Sequence, residues 1–515
     1  MSSLIHHEEI ERLFELKRNN GIHRLGKLFT TASNTYYYDT GTGKVLQLDK
    51  DSSIIMHSLF ELVNVNTPEG LLAIEQISIS AINDFCQTVL NEHLFRAHKP
   101  YRLYTPGHNE LLEEQVNNEL SQIILELTGR CNLRCGYCIY NEECDLNRDF
   151  NSSDMSFEIA KAAVDYAAMH SKDRIAVTFY GGEPLLKFDL LKWVIEYSLK
   201  TLKGKKLTFS LTTNLTLVTK EVANYLATVP GLGIVCSLDG PENIQNEYRR
   251  YSNGEGSFSK AFRGLELLSD SFSLSENSLS INAVFAPPYS HEKLNEINSF
   301  FSGLEFLPAN TNINIGYVAE GSLPNASIKR DENQINPVLL DPLWTWLESR
   351  ALNRSYIRDE TNDISSTGIE SSLISIEKRF LTDKPQDLYP FNGCCIPGAR
   401  RLYVNTSGQL YVCERVGFSP SIGNILEGID FTSLKKHYVE DYSNGSIEQC
   451  QDCWAIRLCS VCYAHNYTES QFDSSEKNRK CDFRRRVHLK DLVLYHTMLE
   501  NCPEKLEFLK DIVIT

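Results

Sequence analysis

Ile123-Ile-Leu-Glu-Leu-Thr-Gly-Arg-Cys131-Asn-Leu-Arg-Cys135-Gly-Tyr-Cys138 begins as a strand and ends as a ligand loop. Residues 123–127 form a short apolar run with strand character. Three cysteines follow, spaced by three and then two residues. Thiolates so spaced on a tight loop can hold three irons of a cubane and leave the fourth iron open to a chelating ligand. The alternative is a zinc knuckle, which wants four ligands and usually pairs two Cys-x-x-Cys units. A fourth ligand from Cys144 would close the open iron, so Cys144 is read as a spare thiol.

From residue 123 onward strands and helices alternate. Strands are expected at 123–127, 175–180, 207–212, 233–238, 279–285 and 312–318, with amphipathic helices at 157–169, 185–202, 220–226 and 258–268 between them. Six strands joined by helical crossovers predict an α/β fold on a parallel sheet, an open or partial (β/α)6 barrel. Ligand chemistry in such folds sits at the C-terminal ends of the strands, where the cysteine loop falls. Upstream, β-formers on either side of a Gly-rich turn predict a hairpin at 35–49, followed by helical patterning at 54–63 and 79–95. The chain therefore divides into a small module at 1–105, a barrel at 119–320, a helical insertion or bridging region at 321–390, and a cysteine-rich region at 391–515.

At 515 residues the chain is too long for one ordinary domain, and 42% hydrophobic with 23% charged residues is a globular balance that excludes wholesale disorder. No run of eighteen apolar residues occurs and the first twenty residues are charged, so neither a membrane span nor a signal peptide is expected and the cytoplasm is the expected compartment. A net charge of −16 argues against nucleic acid or an anionic membrane as partner.

Fifteen cysteines are the anomaly, and in a reducing compartment clustered cysteines point to metal. Cys395 is followed by twelve residues, Gly408, four residues and Cys413; then come Cys450-x2-Cys453-x5-Cys459-x2-Cys462 and, eighteen residues on, Cys481. Two structural zinc sites are the alternative, since all-thiolate zinc uses similar pairs. Cys86, Cys236 and Cys502 are expected to fill apolar space.

Taken together these motifs resemble the radical S-adenosylmethionine (SAM) superfamily. Beside the cysteine loop, with its aromatic Tyr137, stand Tyr180-Gly181-Gly182-Glu183-Pro184, Thr212-Thr-Asn214 and Ser237-Leu-Asp-Gly240 at successive strand ends. The resemblance implies a 4Fe–4S cluster on Cys131, Cys135 and Cys138. It also implies SAM contacts from Tyr137, Gly181, Gly182, Glu183, Asn214, Ser237 and Arg249, with Glu183 on the amino group and Arg249 (Arg250 being the adjacent alternative) on the carboxylate. Downstream, the spacing resembles the SPASM domain of peptide and protein maturases, which carries two auxiliary 4Fe–4S clusters and so brings the total to three. That resemblance assigns Cys450, Cys453, Cys459 and Cys481 to the distal cluster and Cys395, Cys413 and Cys462 to the proximal one. Cys394 supplies a fourth proximal ligand, or that iron stays open to a substrate thiolate.

In that family, cleaved SAM yields a 5′-deoxyadenosyl radical that takes one substrate hydrogen. The N-terminal module resembles the winged-helix-like RiPP recognition element, which captures a leader peptide by adding a strand to its sheet. A small α+β domain serving stability is the alternative. The expected partners are a precursor peptide with its leader and a reductant such as flavodoxin or ferredoxin. Sulfatase maturases carry a basic aspartate after the second SPASM cysteine, where this chain has Glu414 in Val412-Cys-Glu-Arg-Val416. That departure favours thioether-forming, sactisynthase-like maturases, with Glu414 as a base or as support for the site. Formylglycine formation, carbon–carbon cross-linking and epimerisation are alternatives on the same scaffold, and an electron-transfer ferredoxin would have no use for the glycine-rich and Ser237–Arg249 elements.

Overall fold

The computed structural model describes residues 25–60, 77–140, 151–272, 277–308, 311–319, 322–323, 341–353, 367–415, 417–464, 466–468 and 471–512. Cys144 lies outside them, as does the end of the helix expected at 54–63. Three strands come first: β1 (Gly26–Thr30), β2 (Thr35–Asp39) and β3 (Val45–Leu48). Then follow β4 (Gln122–Thr128), β5 (Arg174–Gly181), β6 (Lys206–Thr213), β7 (Leu232–Ser237), β8 (Ser278–Phe285), β9 (Asn312–Tyr317), β10 (Leu402–Val404) and β11 (Leu410–Tyr411). The central sheet has the order β11-β10-β4-β5-β6-β7-β8-β9, and β4 through β9 pair in parallel as the sequence predicts.

Connecting helices start where short polar side chains cap them. Ser156 Oγ accepts from the Ile159 amide, Thr219 Oγ1 from Val222 and Ser290 Oγ from Lys293, opening the helices Phe157–His170, Lys220–Thr228 and His291–Ser302. The last of these helices was not expected from the sequence. The helices cover one face of the sheet: Leu125, Val177, Leu211, Ile234 and Ile281 point into a core shared with Val164, Ile195 and Leu265.

Two further strands join this sheet from the cysteine-rich region. β10 runs parallel to β4, with Leu402 opposite Ile123 and Val404 opposite Leu125, and β11 folds back antiparallel on β10. Six strands expected from periodicity thus become eight. The added pair is short and flanked by turns, and its place beside β4 is set by pairing across nearly three hundred residues of chain.

The N-terminal strands form their own antiparallel sheet, β1-β2-β3, so the expected hairpin gains β1. Its pleat sends the three tyrosines of β2 to opposite sides. Tyr37 packs with Ile82, Phe85 and Phe95 in a small core of the module, whereas Tyr36 and Tyr38 belong to the main core. The module is fastened to the cysteine-rich region. Arg457 donates from Nε to the Thr40 carbonyl (2.9 Å) and from Nη2 to that of Gly41 (2.6 Å). Glu500 Oε1 accepts from Thr31, Asn34 and Tyr36 at 2.7–2.8 Å.

A module with its own face in the main core cannot be lost without harm to the rest. Tyr38→Ala empties a fully buried ring and should cost about 3–5 kcal/mol of stability, read in a denaturant titration of the full-length chain. Gln47→Ala on exposed β3 should stay within about 0.5 kcal/mol. Equal effects of the two would mean the sheet is not part of the main core.

Candidate active site

The loop carrying Cys131, Cys135 and Cys138 leaves the C-terminal end of β4 and is laid against a second segment. Leu133 and Tyr251 form an antiparallel bridge. Arg134 N donates to the Arg250 carbonyl (2.7 Å) and Gly136 N to that of Tyr248 (3.0 Å). This pairing carries Arg249 beneath the cysteine loop. Its Nε lies 3.1 Å from Asp239 Oδ1, and its guanidinium carbon is 5.5 Å from the Tyr137 ring centre. Asp239 also accepts from the Tyr137 hydroxyl and, on Oδ1, from the Val284 amide (3.0 Å). Arg250 instead reaches outward to the Gly254 carbonyl and is exposed, so the fold gives the buried place to Arg249.

Gly181 and Gly182 are where the chain crosses this loop. Gly181 sits at φ +136°, and a Cβ there would meet the Thr128 carbonyl at 2.3 Å; at Gly182 it would meet the Arg130 carbonyl at 2.1 Å. Their backbone instead bonds across, Gly182 N to Thr128 O and Glu183 N to Arg130 O, both 2.9 Å. The Glu183 side chain is buried and accepts from Thr213 Oγ1 (2.8 Å), Leu185 N (3.1 Å) and Asn214 N (2.8 Å). Burial pushes its carboxyl up to about 7 against the pull of these donors and of Arg249. Asn214 Nδ2 is 3.8 Å from Cys131 Sγ. Tyr137, Gly181, Gly182, Glu183, Asn214 and Arg249 therefore gather around one loop. Ser237 ends β7 directly before the Asp239 turn.

The sheet face opposite the helices is polar across β6, β8 and β9 and closed at β4 and β5, where Ile124, Glu126 and Thr178 are buried. Thr208, Asn282 and Asn312 are exposed on it, and Ser210, Thr212, Ser280 and Asn314 are half-buried. Registered pairs make rows of them: Val235, Ser280 and Asn312 in one, Ser237, Asn282 and Asn314 in the next. A parallel sheet covered on both faces reads as continuous apolar strands; one that alternates leaves a face open. That alternation is written in β6 and β8, and it is the signal that finds these residues.

Cys395 and Cys413 flank the β10–β11 hairpin. Tyr411 pairs with Tyr403, which pairs with Ile124, so the chain reaches Cys413 at the N-terminal end of β4. The cysteine loop leaves the other end, and the rise along β4 sets the two apart by on the order of 20 Å. Burial pushes the Cys413 thiol up to about 12, with Glu414 and Cys462 adding to the rise. Glu414 Oε1 is 3.1 Å from Arg401 Nη1, and its buried Oε2 has no hydrogen-bond partner among the described residues.

Cys450, Cys453, Cys459 and Cys481 form a second group. Burial raises the thiols of Cys450, Cys459 and Cys481, and Cys453 adds to the rise in each. Two cations missed in the sequence reach them: Lys477 Nζ lies 3.5 Å from Cys450 Sγ and 3.9 Å from Cys481 Sγ, and Arg485 Nη1 3.9 Å from Cys453 Sγ. Lys477 stands four residues before Cys481, one helical turn away on the same face, which is the signal that was there to read. Cys394 faces both groups: burial raises its thiol well above the usual value, and Cys462 and Cys459 contribute. Arg400 Nη1 donates to Cys395 Sγ (3.4 Å). Among the described residues no three His, Cys, Asp or Glu side chains gather as ligands of a single metal ion. A cubane takes thiolates, one to each corner iron, and these groups are all cysteine. Cys236 and Cys502 fill the main core as expected, and Cys86 packs on the small one.

Residues 125–301 match the sequence model of the radical SAM superfamily, so the chain carries a radical SAM domain. Such a domain implies SAM and one 4Fe–4S cluster. Over 357 residues the chain is 24% identical to a cysteine-type anaerobic sulfatase-maturating enzyme of Clostridium novyi, covering 66% of this chain and 86% of that one. An uncharacterized protein of Methanocaldococcus jannaschii is 32% identical over 149 residues, 29% of this chain, and the match spans about half (49%) of that relative. The fold resembles anSMEcpe solved with bound AdoMet (TM-score 0.53, 22% identity, 77% of this chain and 96% of that one) and with AdoMet and Cp18Cys peptide (0.52, 21%, 76% and 100%).

The raised carboxyl of Glu183 has a consequence for stability. Its folded value, about 7, exceeds the ordinary 4.5, so the folded metal-free chain holds a proton that the unfolded chain has released. Stability is therefore intact below pH 4.5 and falls as pH rises to about 7, by on the order of 3 kcal/mol. Glu183→Gln should flatten that slope in melting curves taken across this range. An unchanged slope would show that Glu183 is ionised throughout.

Proposed function

We propose that this enzyme is a peptide maturase that joins a substrate cysteine sulfur to a carbon of the same ribosomally made precursor. The observation that carries the reading is that the three-cysteine loop leaves one end of β4 and Cys413 lies at the other, beside a sheet face that is polar and open across β6, β8 and β9. An extended peptide lying along that face has its backbone groups met by hydroxyls and amides. Both ends of it then come near a thiolate site.

The bound SAM and its cluster supply a carbon-centred radical that removes one hydrogen. The protein's own part is positioning. Glu183 and Asn214 sit where an amino group lies against the cysteine loop, and Arg249, held by Asp239 and Tyr137, offers its charge to the carboxylate. Tyr137, Gly181, Gly182 and Ser237 complete the pocket. We assign Cys450, Cys453, Cys459 and Cys481 to a distal auxiliary 4Fe–4S cluster and Cys395, Cys413 and Cys462 to a proximal one. Cys394, between them, is the candidate fourth ligand. Residues 391–515 are then a SPASM domain, and residues 1–105 a leader-binding element whose strand β3 ends the sheet among the described residues. Glu414, with one buried oxygen unpartnered, is placed to accept a proton from a substrate thiol. An external carrier of single electrons is required.

One observation favours a second reading, formylglycine formation in a sulfatase: the similarity to the Clostridium novyi enzyme extends over most of that protein. There Glu414 serves in place of an aspartate. The two readings part at the product. A thioether forms when one hydrogen atom, one thiol proton and one electron leave the peptide, the electron passing to the proposed proximal cluster, so each bond lightens the peptide by two hydrogens and removes one alkylatable thiol.

Reconstituted without oxygen, the enzyme should hold about twelve irons per chain, and replacing Cys131, Cys135 and Cys138 by Ala should remove about a third of them and all SAM cleavage. Near-stoichiometric zinc in their place would falsify the cluster assignment. With a co-expressed cysteine-containing precursor, mass spectrometry should find the thioether product, and Cys413→Ala should stop it while SAM is still cleaved. An aldehyde at a cysteine position would establish the second reading; loss of two hydrogens with every thiol free would mean carbon–carbon cross-linking.

A further inference from the structure

Lys477 has no exposed surface, and among the described residues no carboxylate pairs with it. Its ammonium meets Cys450 Sγ at 3.5 Å, Cys481 Sγ at 3.9 Å and the Tyr442 ring at 5.5 Å. A charge taken out of water needs an opposite charge beside it, and neutral thiols do not supply one. A 4Fe–4S cluster on four thiolates is anionic and becomes more so when it gains an electron. We propose that Lys477 sets the reduction potential of the distal cluster and holds it above that of the proximal one, so that of the two the distal cluster takes an electron first. The inference rests on the two-cluster assignment above.

The fold fixes where this charge lies. Asp473 caps the helix Ser474–Asn501 at the Ser475 and Glu476 amides, and Lys477 N donates to the Asp473 carbonyl (3.2 Å). One turn on, the same helix supplies Cys481. The helix Tyr442–Cys450 supplies both the aromatic face and the Cys450 sulfur. A lysine held from two helices keeps its charge on the sulfurs whether the cluster is oxidised or reduced. Arg485 adds a second cation 3.9 Å from Cys453 Sγ, but its side chain is 27% exposed and water screens it.

The proximal set has the opposite surroundings. Arg400, 3.4 Å from Cys395 Sγ, is exposed. Glu414 follows Cys413 directly; Arg401 meets its Oε1 at 3.1 Å, while its buried Oε2 has no hydrogen-bond partner among the described residues. The potential of such a cluster follows the net charge around it, the hydrogen bonds to its sulfurs and its exposure to solvent. An added electron is favoured beside a buried ammonium and disfavoured beside a buried carboxylate oxygen.

The test uses the full-length chain reconstituted without oxygen, with Cys131, Cys135 and Cys138 replaced by Ala so that the auxiliary clusters alone remain, about eight irons per chain. Dithionite supplies the electrons in a redox titration followed by EPR; each wave is one electron gained by one cluster, with no atom transferred. Two waves are expected. Lys477→Met keeps the length of the side chain and removes its charge. It should lower the potential of the higher wave by at least about tenfold in the ratio of reduced to oxidised cluster, about 59 mV for one electron, and leave the lower wave in place. One charge about 4 Å away at an effective dielectric of about 20 is sufficient for that. Lys477→Gln, which keeps hydrogen-bond donors for the sulfurs, should move the same wave in the same direction, because the charge is what acts. Two unmoved waves, or a shift of the lower one, overturn the proposal and leave the cluster assignment standing. About four irons and a single wave before any change at Lys477 would instead remove the distal cluster, and this proposal with it. Where the Met variant alone loses iron, the Gln variant decides; loss of about four irons from both would make Lys477 an assembly residue and overturn the tuning role.

Discussion

The pairing of β10 with β4 is the contact on which the arrangement of cysteines depends. Only three residue pairs make it, yet it joins a strand at residue 123 to one at residue 402. Because β10 runs parallel to β4, the hairpin that follows must turn at the C-terminal end and return to the N-terminal end. The turn is anchored there, with the Thr406 amide on Glu126 Oε2 (3.2 Å) and its hydroxyl 2.7 Å from Ser153 Oγ. Cys395 and Cys413 are thereby carried to the opposite end from the three-cysteine loop. An antiparallel β10 would have put them at the same end and left no face between the two.

Around the three-cysteine loop the fold spends its buried charge. Arg249 and Asp239 are both buried, and such a pair is weak support for stability because desolvation offsets most of the attraction. Its value is specificity. Asp239 is ion-paired with a guanidinium and accepts from a phenol and a backbone amide, so the Tyr137 ring is fixed against the loop. Glu183 lies in the same low-dielectric region with three donors on its carboxylate. These groups are costly to bury, and their hydrogen bonds hold them in place without any ligand.

The N-terminal sheet shows how a module can be two things at once. Its pleat gives Tyr37 to a private core and Tyr36 with Tyr38 to the shared one. The Arg457 and Glu500 contacts then tie it to the same region that holds the distal cysteines. Among the described residues no helix is long and apolar enough to cross a membrane.

Periodicity and spacing were enough for the six parallel strands, most of their helices, and the cysteine loop at the end of the first strand. These are local properties: an apolar run, a cap, a fixed interval between thiols. The glycine-rich motif was legible too, because only glycine tolerates the backbone contacts that Gly181 and Gly182 make. The sequence also held the alternation of β6 and β8 and the Lys477–Cys481 interval, although their meaning depended on knowing which face was covered. What no local pattern contained was β10 beside β4, Arg249 under Tyr137 instead of Arg250, or Cys394 facing both cysteine groups. Each is a contact between residues far apart in the chain, decided by the closing of one sheet on strands that arrive hundreds of residues later. Residue types and intervals determined the chemistry available; long-range strand pairing decided which of those groups meet.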